Sequence, residues 1–343
     1  MIYFDVTKTG RSGPPSGLRR VSQRLRAELG AAAQPVTWAE WRQGAAARPD
    51  DWWLTTELFS AAERPGLADF LARKPCRCAA VFHDAIPLRL PQITWPQSVA
   101  RHPEYLKRLA AFDRVFAVSA ASRAELLGYW RWLGVPTPPP VDVLALGADG
   151  DGAPRATTPV AGGPRLLTVG ILEPRKNQRF LLEVCAALWR AGLAFELHLV
   201  GRVNPHFGAP LVQQIKTLRR EFAGLVHHAA ADDATVAQLY AGARAAVFPT
   251  QAEGCGLPLL EALWRGVPCV CSDLPVLREN ADGGGCLPVP LNDAGAWAAA
   301  LRQLLTDDAL HARLGREAVT RELPTWAGSA RQLRQALGEE APR

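Results

Sequence analysis

The chain has 343 residues, 48% of them hydrophobic, and a formal net charge of +6. At ~150 residues per domain this length suggests about two domains with real cores, and no apolar run approaches the ~18–20 residues of a membrane span. The seven cysteines are an odd number scattered through apolar segments, and Cys76-Arg77-Cys78 has no second pair at zinc-ligand spacing, so they read as reduced structural thiols.

The opening Met1-Ile2-Tyr3-Phe4-Asp5-Val6 reads as a strand and lacks the basic end, apolar middle and cleavage site of a signal peptide, so a cytoplasmic protein is expected. Gly10-Arg11-Ser12-Gly13-Pro14-Pro15-Ser16-Gly17 follows as a glycine loop, then a basic helix over 18–29 that carries Arg19, Arg20, Arg24 and Arg26. Residues 1–150 hold 19 Lys+Arg against 14 Asp+Glu, so this half carries +5 of the +6. An ordinary Arg-rich surface accounts for that charge, and no interleaved basic and aromatic pattern points to nucleic acid.

Further strands are expected near 52–55, 79–82, 114–118 and 141–146. His83-Asp84 ends one of them, and Ser119 ends another where it can cap the next helix. Residues 149–164 are rich in Gly, Ala, Pro and Thr without apolar period. That composition suits a linker, set at 153–164, between a first domain (1–152, plus 324–343) and a second (165–323).

The second half continues with strands near 166–170, 195–201, 225–228, 245–249, 268–272 and 286–289. From Gln178 to Ala191 the apolar residues Phe180, Leu181, Val184 and Leu188 recur at helical spacing. A last helix is expected at about 326–338. Strand–helix alternation throughout predicts an α/β chain of two doubly wound Rossmann-like domains. Ligands of such sheets bind outside the carboxyl ends of the strands.

Two motifs leave strand ends. Glu253-Gly254-Cys255-Gly256-Leu257-Pro258-Leu259-Leu260-Glu261 puts a glycine-rich turn before a helix with Pro258 in its first turn. The N–H groups around Gly256, Leu257, Pro258 and Leu259 form an expected phosphate site. Glu253 on the loop and Glu261 in the first helical turn suit sugar and ribose hydroxyls. Glu173-Pro174-Arg175-Lys176-Asn177 places two cations at another strand end, arranged for a diphosphate.

Residues 166 to about 290 resemble the donor domain of the retaining glycosyltransferases of family 4, which have the GT-B fold. The match runs through Val169-Gly170 to Lys176-Asn177, Leu239 to Arg244, Phe248-Pro249-Thr250, the two glutamates spanning Glu253 to Glu261, Gly266-Val267-Pro268 and Ser272-Asp273. The resemblance implies two domains facing across a cleft and a C-terminal helix, with Trp326, crossing back to the first. It assigns Arg175 and Lys176 to the donor diphosphate, Glu261 to the ribose and Glu253 to the transferred sugar. Gly13, Gly17, Asp84 and Ser119 would border the cleft, and His83 would contact the donor sugar. Cys255, where an aromatic residue is common, and the run Gly283-Gly284-Gly285 depart from the family pattern and bear on which sugar is used.

The expected reaction is retaining transfer of a hexose, favouring mannose from a GDP-sugar, to a glycan or lipid-linked acceptor in polysaccharide or O-antigen-type synthesis. The alternatives are a nucleotide-sugar epimerase or sugar phosphorylase on the same fold, and a non-catalytic nucleotide-sugar-binding subunit. Neither metal nor cofactor is expected, because the only Asp-x-Asp, Asp149-Gly150-Asp151, falls beside the linker. The basic helix suggests peripheral contact with the inner membrane.

Overall fold

The computed structural model describes residues 1–11, 16–44, 47–150 and 152–338. The chain divides into two compact units, Met1–Gly147 with Pro324–Arg343, and Ala148–Leu323.

The first unit runs β1 (Ile2–Asp5), α1 (Gly17–Leu29), β2 (Ala33–Val36), α2 (Trp38–Gly44), β3 (Trp52–Thr55), α3 (Leu67–Arg73), β4 (Arg77–Phe82), α4 (Ile86–Arg89), α5 (Pro96–Leu109), β5 (Arg114–Ala117), α6 (Ala120–Leu133) and β6 (Val141–Val143). Its sheet has the order β2-β1-β3-β4-β5-β6, with every pairing parallel. Strands buried on both faces need continuous apolar runs, and β3 and β4 supply them with Trp53, Leu54, Val81 and Phe82, each wholly buried. Burying one such side chain contributes roughly 1.5–3 kcal/mol.

The second unit runs β7 (Arg165–Val169), α7 (Gln178–Arg190), β8 (Glu196–Val200), α8 (Ala209–Glu221), β9 (Leu225–His228), α9 (Asp233–Ala241), β10 (Ala245–Phe248), α10 (Leu257–Trp264), β11 (Cys269–Ser272), α11 (Pro275–Ala281), β12 (Cys286–Val289), α12 (Ala294–Thr306) and α13 (Asp308–Thr320). The sheet order is β12-β11-β10-β7-β8-β9, again parallel. The order reverses between β7 and β10, so the loops leaving these two strands flank a topological switch point, the usual ligand position of such a sheet. In the first unit the reversal lies between β1 and β3.

The last helix, α14 (Trp326–Ala336), belongs to the first unit and packs on α1. Ser329 Oγ donates to Ala145 O (2.5 Å) and Trp52 Nε1 to Leu337 O (2.8 Å), which fasten it to the sheet.

Of the twelve strands among the described residues eleven are legible in the sequence, and β2 is the one missed. Its four residues, Ala-Gln-Pro-Val, include a proline, which only an edge strand tolerates, and β2 lies at the edge. The expected linker is not a free tether either. Ala156 N donates to Trp264 O (3.0 Å), Val160 N to Gly266 O (3.3 Å) and Trp264 Nε1 to Ala153 O (2.9 Å), so the segment lies along the second unit. Such donors and acceptors carry no apolar period, which is why the stretch reads as linker.

Candidate functional site

The loop after β7 reaches the switch point through Gly170 and Gly201. A side chain at Gly201, whose φ is +146°, would put its Cβ 2.1 Å from Gly170 O, so only glycine lets β8 end this close to β7. The chain then makes a single turn of 3-10 helix, Pro174–Lys176, and Asn177 in the left-handed region opens α7. Asn177 Nδ2 donates to Pro249 O (3.0 Å) and Gln251 N to Arg175 O (2.8 Å), stitching this loop to the one after β10.

That stitching brings Glu253 to the two cations. Lys176 Nζ lies 2.5 Å from Glu253 Oε1, and Arg175 Nη1 lies 3.1 Å from Glu253 Oε2. Arg175 also pairs with Glu173 at 2.8 Å, and the other oxygen of Glu173 accepts from Asn204 Nδ2 at 3.0 Å. Burial alone would raise the Glu253 carboxyl, but the Lys176 ammonium and Arg175 guanidinium outweigh it and hold it at about 2. Burial pulls the Lys176 ammonium below its usual range, with Glu253 acting against that pull. The two expected cations thus stand in a four-residue set with the carboxylates of Glu173 and Glu253.

The second loop enters α10 through Gly256, whose φ of +82° caps the helix. A Cβ there would press on Leu277 Cδ2 at 2.9 Å, so glycine meets both conditions. Two expected phosphate donors need correction. Pro258 has no N–H, and the N–H of Leu259 donates to Gly256 O (3.0 Å). Among the described residues no hydrogen bond from the N–H of Gly256 or Leu257 is found, so these two, at the start of α10, are left as the donors of this turn.

Glu261 also needs correction, since α10 starts at Leu257 and the glutamate stands in its second turn. It is buried, and its carboxylate sits under the backbone of Gly150, where an added Cβ would lie 2.7 Å from Oε1. Cys255, between the glutamates in sequence, is raised to about 12 by burial and the nearby anions Glu253, Glu279 and Glu261. Its thiol stays protonated at neutral pH, which removes it as a nucleophile.

In the first unit His83 follows β4, and its ring Nε2 lies 2.8 Å from Thr56 O. A carbonyl accepts only, so Nε2 carries the proton and Nδ1 is left as an acceptor. Burial lowers the pKa of this ring and keeps it neutral at pH 7. Ser122 donates through Oγ to His83 O (2.8 Å), and its N–H is capped by Ser119 Oγ (3.0 Å), so Ser119 holds the start of α6. Asp84 Oδ1 accepts from the N–H of Ile86, the first residue of α4 (3.0 Å). Gly17 opens α1 with open space around it, so no contact requires glycine there. Gly13 lies outside the described residues.

A buried group that the sequence does not disclose underlies the loop after β1. Arg64, wholly buried, pairs with Asp5 at 2.7 Å and Glu57 at 2.5 Å. Glu57 also accepts from Lys8 N (2.8 Å) and Thr9 N (2.6 Å), so it fixes the backbone of that loop. No motif could have announced it, because Asp5 and Arg64 are 59 residues apart.

Among the described residues no group of three or more His, Cys, Asp or Glu is placed to hold a metal ion, and no helix is long and apolar enough to cross a membrane. All seven cysteines are free thiols.

Residues 163–307 match the model of the family described as glycosyl transferases group 1. The chain is similar to "Serotype-specific mannosyltransferase WbdA" of Escherichia coli, 32% identical over 59% of this chain and 26% of the relative. It is similar also to "O-antigen chain mannosyltransferase B" of Escherichia coli, 30% identical over 70% of this chain and 64% of the relative. The chain thus spans about a quarter of the first and less than two thirds of the second. Among solved structures, the sucrose-phosphate synthase of Thermosynechococcus elongatus superposes with a TM-score of 0.75 at 19% identity, covering 98% of this chain and 97% of that one. Anabaena Alr3699/HepE, in complex with UDP and glucose, gives 0.74 at 16%, covering 99% of each.

Proposed function

We propose that this chain, which matches the model of the group 1 glycosyltransferases over residues 163–307 and has the GT-B fold of the solved structures it superposes on, carries out a retaining transfer of a hexose from a nucleotide-diphosphate sugar. A mannose-type sugar on a GDP carrier is favoured, since both Escherichia coli relatives are named mannosyltransferases. The acceptor is a glycan or lipid-linked glycan of polysaccharide or O-antigen type. Peripheral contact with an anionic inner membrane fits the arginines of α1, although Arg24 already pairs with Glu28 at 3.6 Å.

The observation that carries this reading is the joining of Arg175, Lys176 and Glu253 beside the start of α10 at the switch point. As the anomeric C–O bond breaks, negative charge grows on the leaving diphosphate. Lys176, Arg175 and the N–H groups of Gly256 and Leu257 are held in place to stabilise it. An ammonium has three donors and Lys176 uses one on Glu253, so it can serve both. Glu253 in turn keeps both cations from collapsing elsewhere and accepts hydroxyl donors from the transferred sugar. Glu261 accepts from the ribose, and His83 offers Nδ1 to the sugar. No protein nucleophile is assigned; the departing phosphate takes the proton of the attacking hydroxyl on the same face.

Lys176→Ala tests the reading. GDP affinity should fall by ~1.5–3 kcal/mol, the range for hydrogen bonds to charged groups, and GDP-mannose turnover should fall with it. Unchanged GDP affinity by calorimetry would take Lys176 out of the site and the diphosphate reading with it.

A further inference from the structure

A second pocket, of about 180 Å³, opens in the first unit, at the carboxyl side of its sheet. Lys8 reaches it from the loop after β1 and Glu63 from the loop after β3; Trp95, Gln97, Arg101 and Tyr105 come from α5 and the residue that precedes it. Three observations single it out.

The hydroxyl of Tyr105, a residue only 2% exposed, has no hydrogen-bond partner among the described residues. A buried hydroxyl left so is less favourable than a bonded one, and Tyr105 lines the pocket in which a partner could be supplied. Trp95 stands on the wall with 42% of its surface exposed, one of few large apolar side chains so placed. An indole offers a flat face to C–H groups and an N–H at its edge. Glu63 lies between two cations, 3.0 Å from Lys8 Nζ and 3.7 Å from Arg101 Nη1. That carboxylate offsets one of the two positive charges, and it leaves hydrogen-bonding groups of both kinds on the rim.

A flat apolar wall, an unsatisfied hydroxyl and a balanced set of donors and acceptors suit a neutral, polyhydroxylated ring. We infer that this pocket binds one pyranose unit of the glycan acceptor, stacked on Trp95 and hydrogen-bonded to Tyr105 Oη. His102 ties the same helix to the strand end that carries His83, its Nε2 donating to Asp84 O at 3.1 Å. The pocket therefore belongs with the residues expected to border the reaction. This inference rests on reading the chain as a glycosyltransferase, and names part of its acceptor site.

The test uses the full chain, mannotriose as the probe with maltotriose beside it, and saturation-transfer NMR with titration. Wild type should bind mannotriose. Trp95→Ala should weaken that binding and raise the acceptor KM by about tenfold, and Tyr105→Phe by about fivefold, with kcat and GDP affinity unchanged. Neither substitution should unfold the chain, since Trp95 is 42% exposed and the lost hydroxyl has no partner among the described residues; Trp95→Phe should restore most of the binding. Failure of wild type to bind either trisaccharide overturns the inference. So does equal binding by wild type and both variants, or displacement of mannotriose by inorganic phosphate with Trp95→Ala indifferent. GDP titration of the same samples separates the two readings. If GDP binds and is turned over from GDP-mannose while the variants change nothing, the pocket alone is wrong. If GDP does not bind while trisaccharide binding depends on Trp95, the donor reading is wrong and the sugar pocket stands.

Discussion

The ammonium of Lys176 and the carboxylate of Glu253, 77 residues apart in sequence, meet at 2.5 Å in a site where each side chain is nearly buried. The pair fixes the sign of a pH effect. The Glu253 carboxyl titrates at about 2 in the folded chain against an ordinary 4.5. A depressed carboxyl stabilises in full above its unfolded value and loses that contribution as the pH falls toward its folded value. The contribution, at 1.36 kcal/mol per pKa unit, is about 3 kcal/mol, lost between roughly pH 4.5 and 2. Glu253→Gln should flatten the stability profile in that window and, by stranding Lys176, destabilise at neutral pH by about 3–5 kcal/mol. Denaturant midpoints that fall equally with pH in both proteins would contradict the pairing.

The two glutamates should separate in steady-state kinetics. Glu261 is proposed to hold the ribose, a contact made equally in ground and transition states, so Glu261→Ala should mainly raise the donor KM. Glu253 holds both cations that face the growing charge, so Glu253→Ala should mainly lower kcat. The reverse pattern would exchange their roles.

Activity should survive excess EDTA, and Mn²⁺ should change kcat little. A diphosphate held through a divalent ion needs carboxylates to carry that ion. At this switch point Glu253 is engaged by Lys176 and Arg175, and Glu173 by Arg175 and Asn204. Loss of turnover in EDTA, restored by one specific ion, would mean that these carboxylates exchange their partners for a metal.

The sequence made the strands legible because each buried parallel strand needs an apolar run, such as Ala245–Phe248, and each motif sits where such a run stops. It marked Arg175, Lys176 and Glu253 singly. It could not show that they pair, because the contact depends on β7 and β10 lying side by side although α7 to α9 separate them in the chain. Nor does a glycine-proline motif disclose that Leu259 spends its N–H on Gly256 O, a matter of how tightly the first turn closes. Ser119 is legible as a helix cap, and its Oγ does accept from Ser122 N. Tyr105 looks like any core aromatic until its hydroxyl is found without a partner among the described residues.

Arg64 supplies the last prediction. Its guanidinium is wholly buried against Asp5 and Glu57, and the two carboxylates also accept hydrogen bonds from Thr7 N (3.1 Å), Lys8 N (2.8 Å) and Thr9 N (2.6 Å). One cation thus lets two buried anions hold the loop that leaves β1. Removing one partner from a buried ionic group leaves an uncompensated charge and costs about 3–5 kcal/mol, so Arg64→Met should lower the Tm of the first unit by roughly 10 °C. Arg64→Lys should recover only part, because an ammonium cannot make the forked contacts that Nε and Nη2 make with Asp5 while Nη2 also meets Glu57. Replacing the whole set, with Asp5→Asn and Glu57→Gln beside Arg64→Met, should be milder than Arg64→Met alone, since no buried charge is then stranded. Calorimetry in which the triple variant is the least stable would mean that the loop depends on these carboxylates as hydrogen-bond acceptors and not on charge balance.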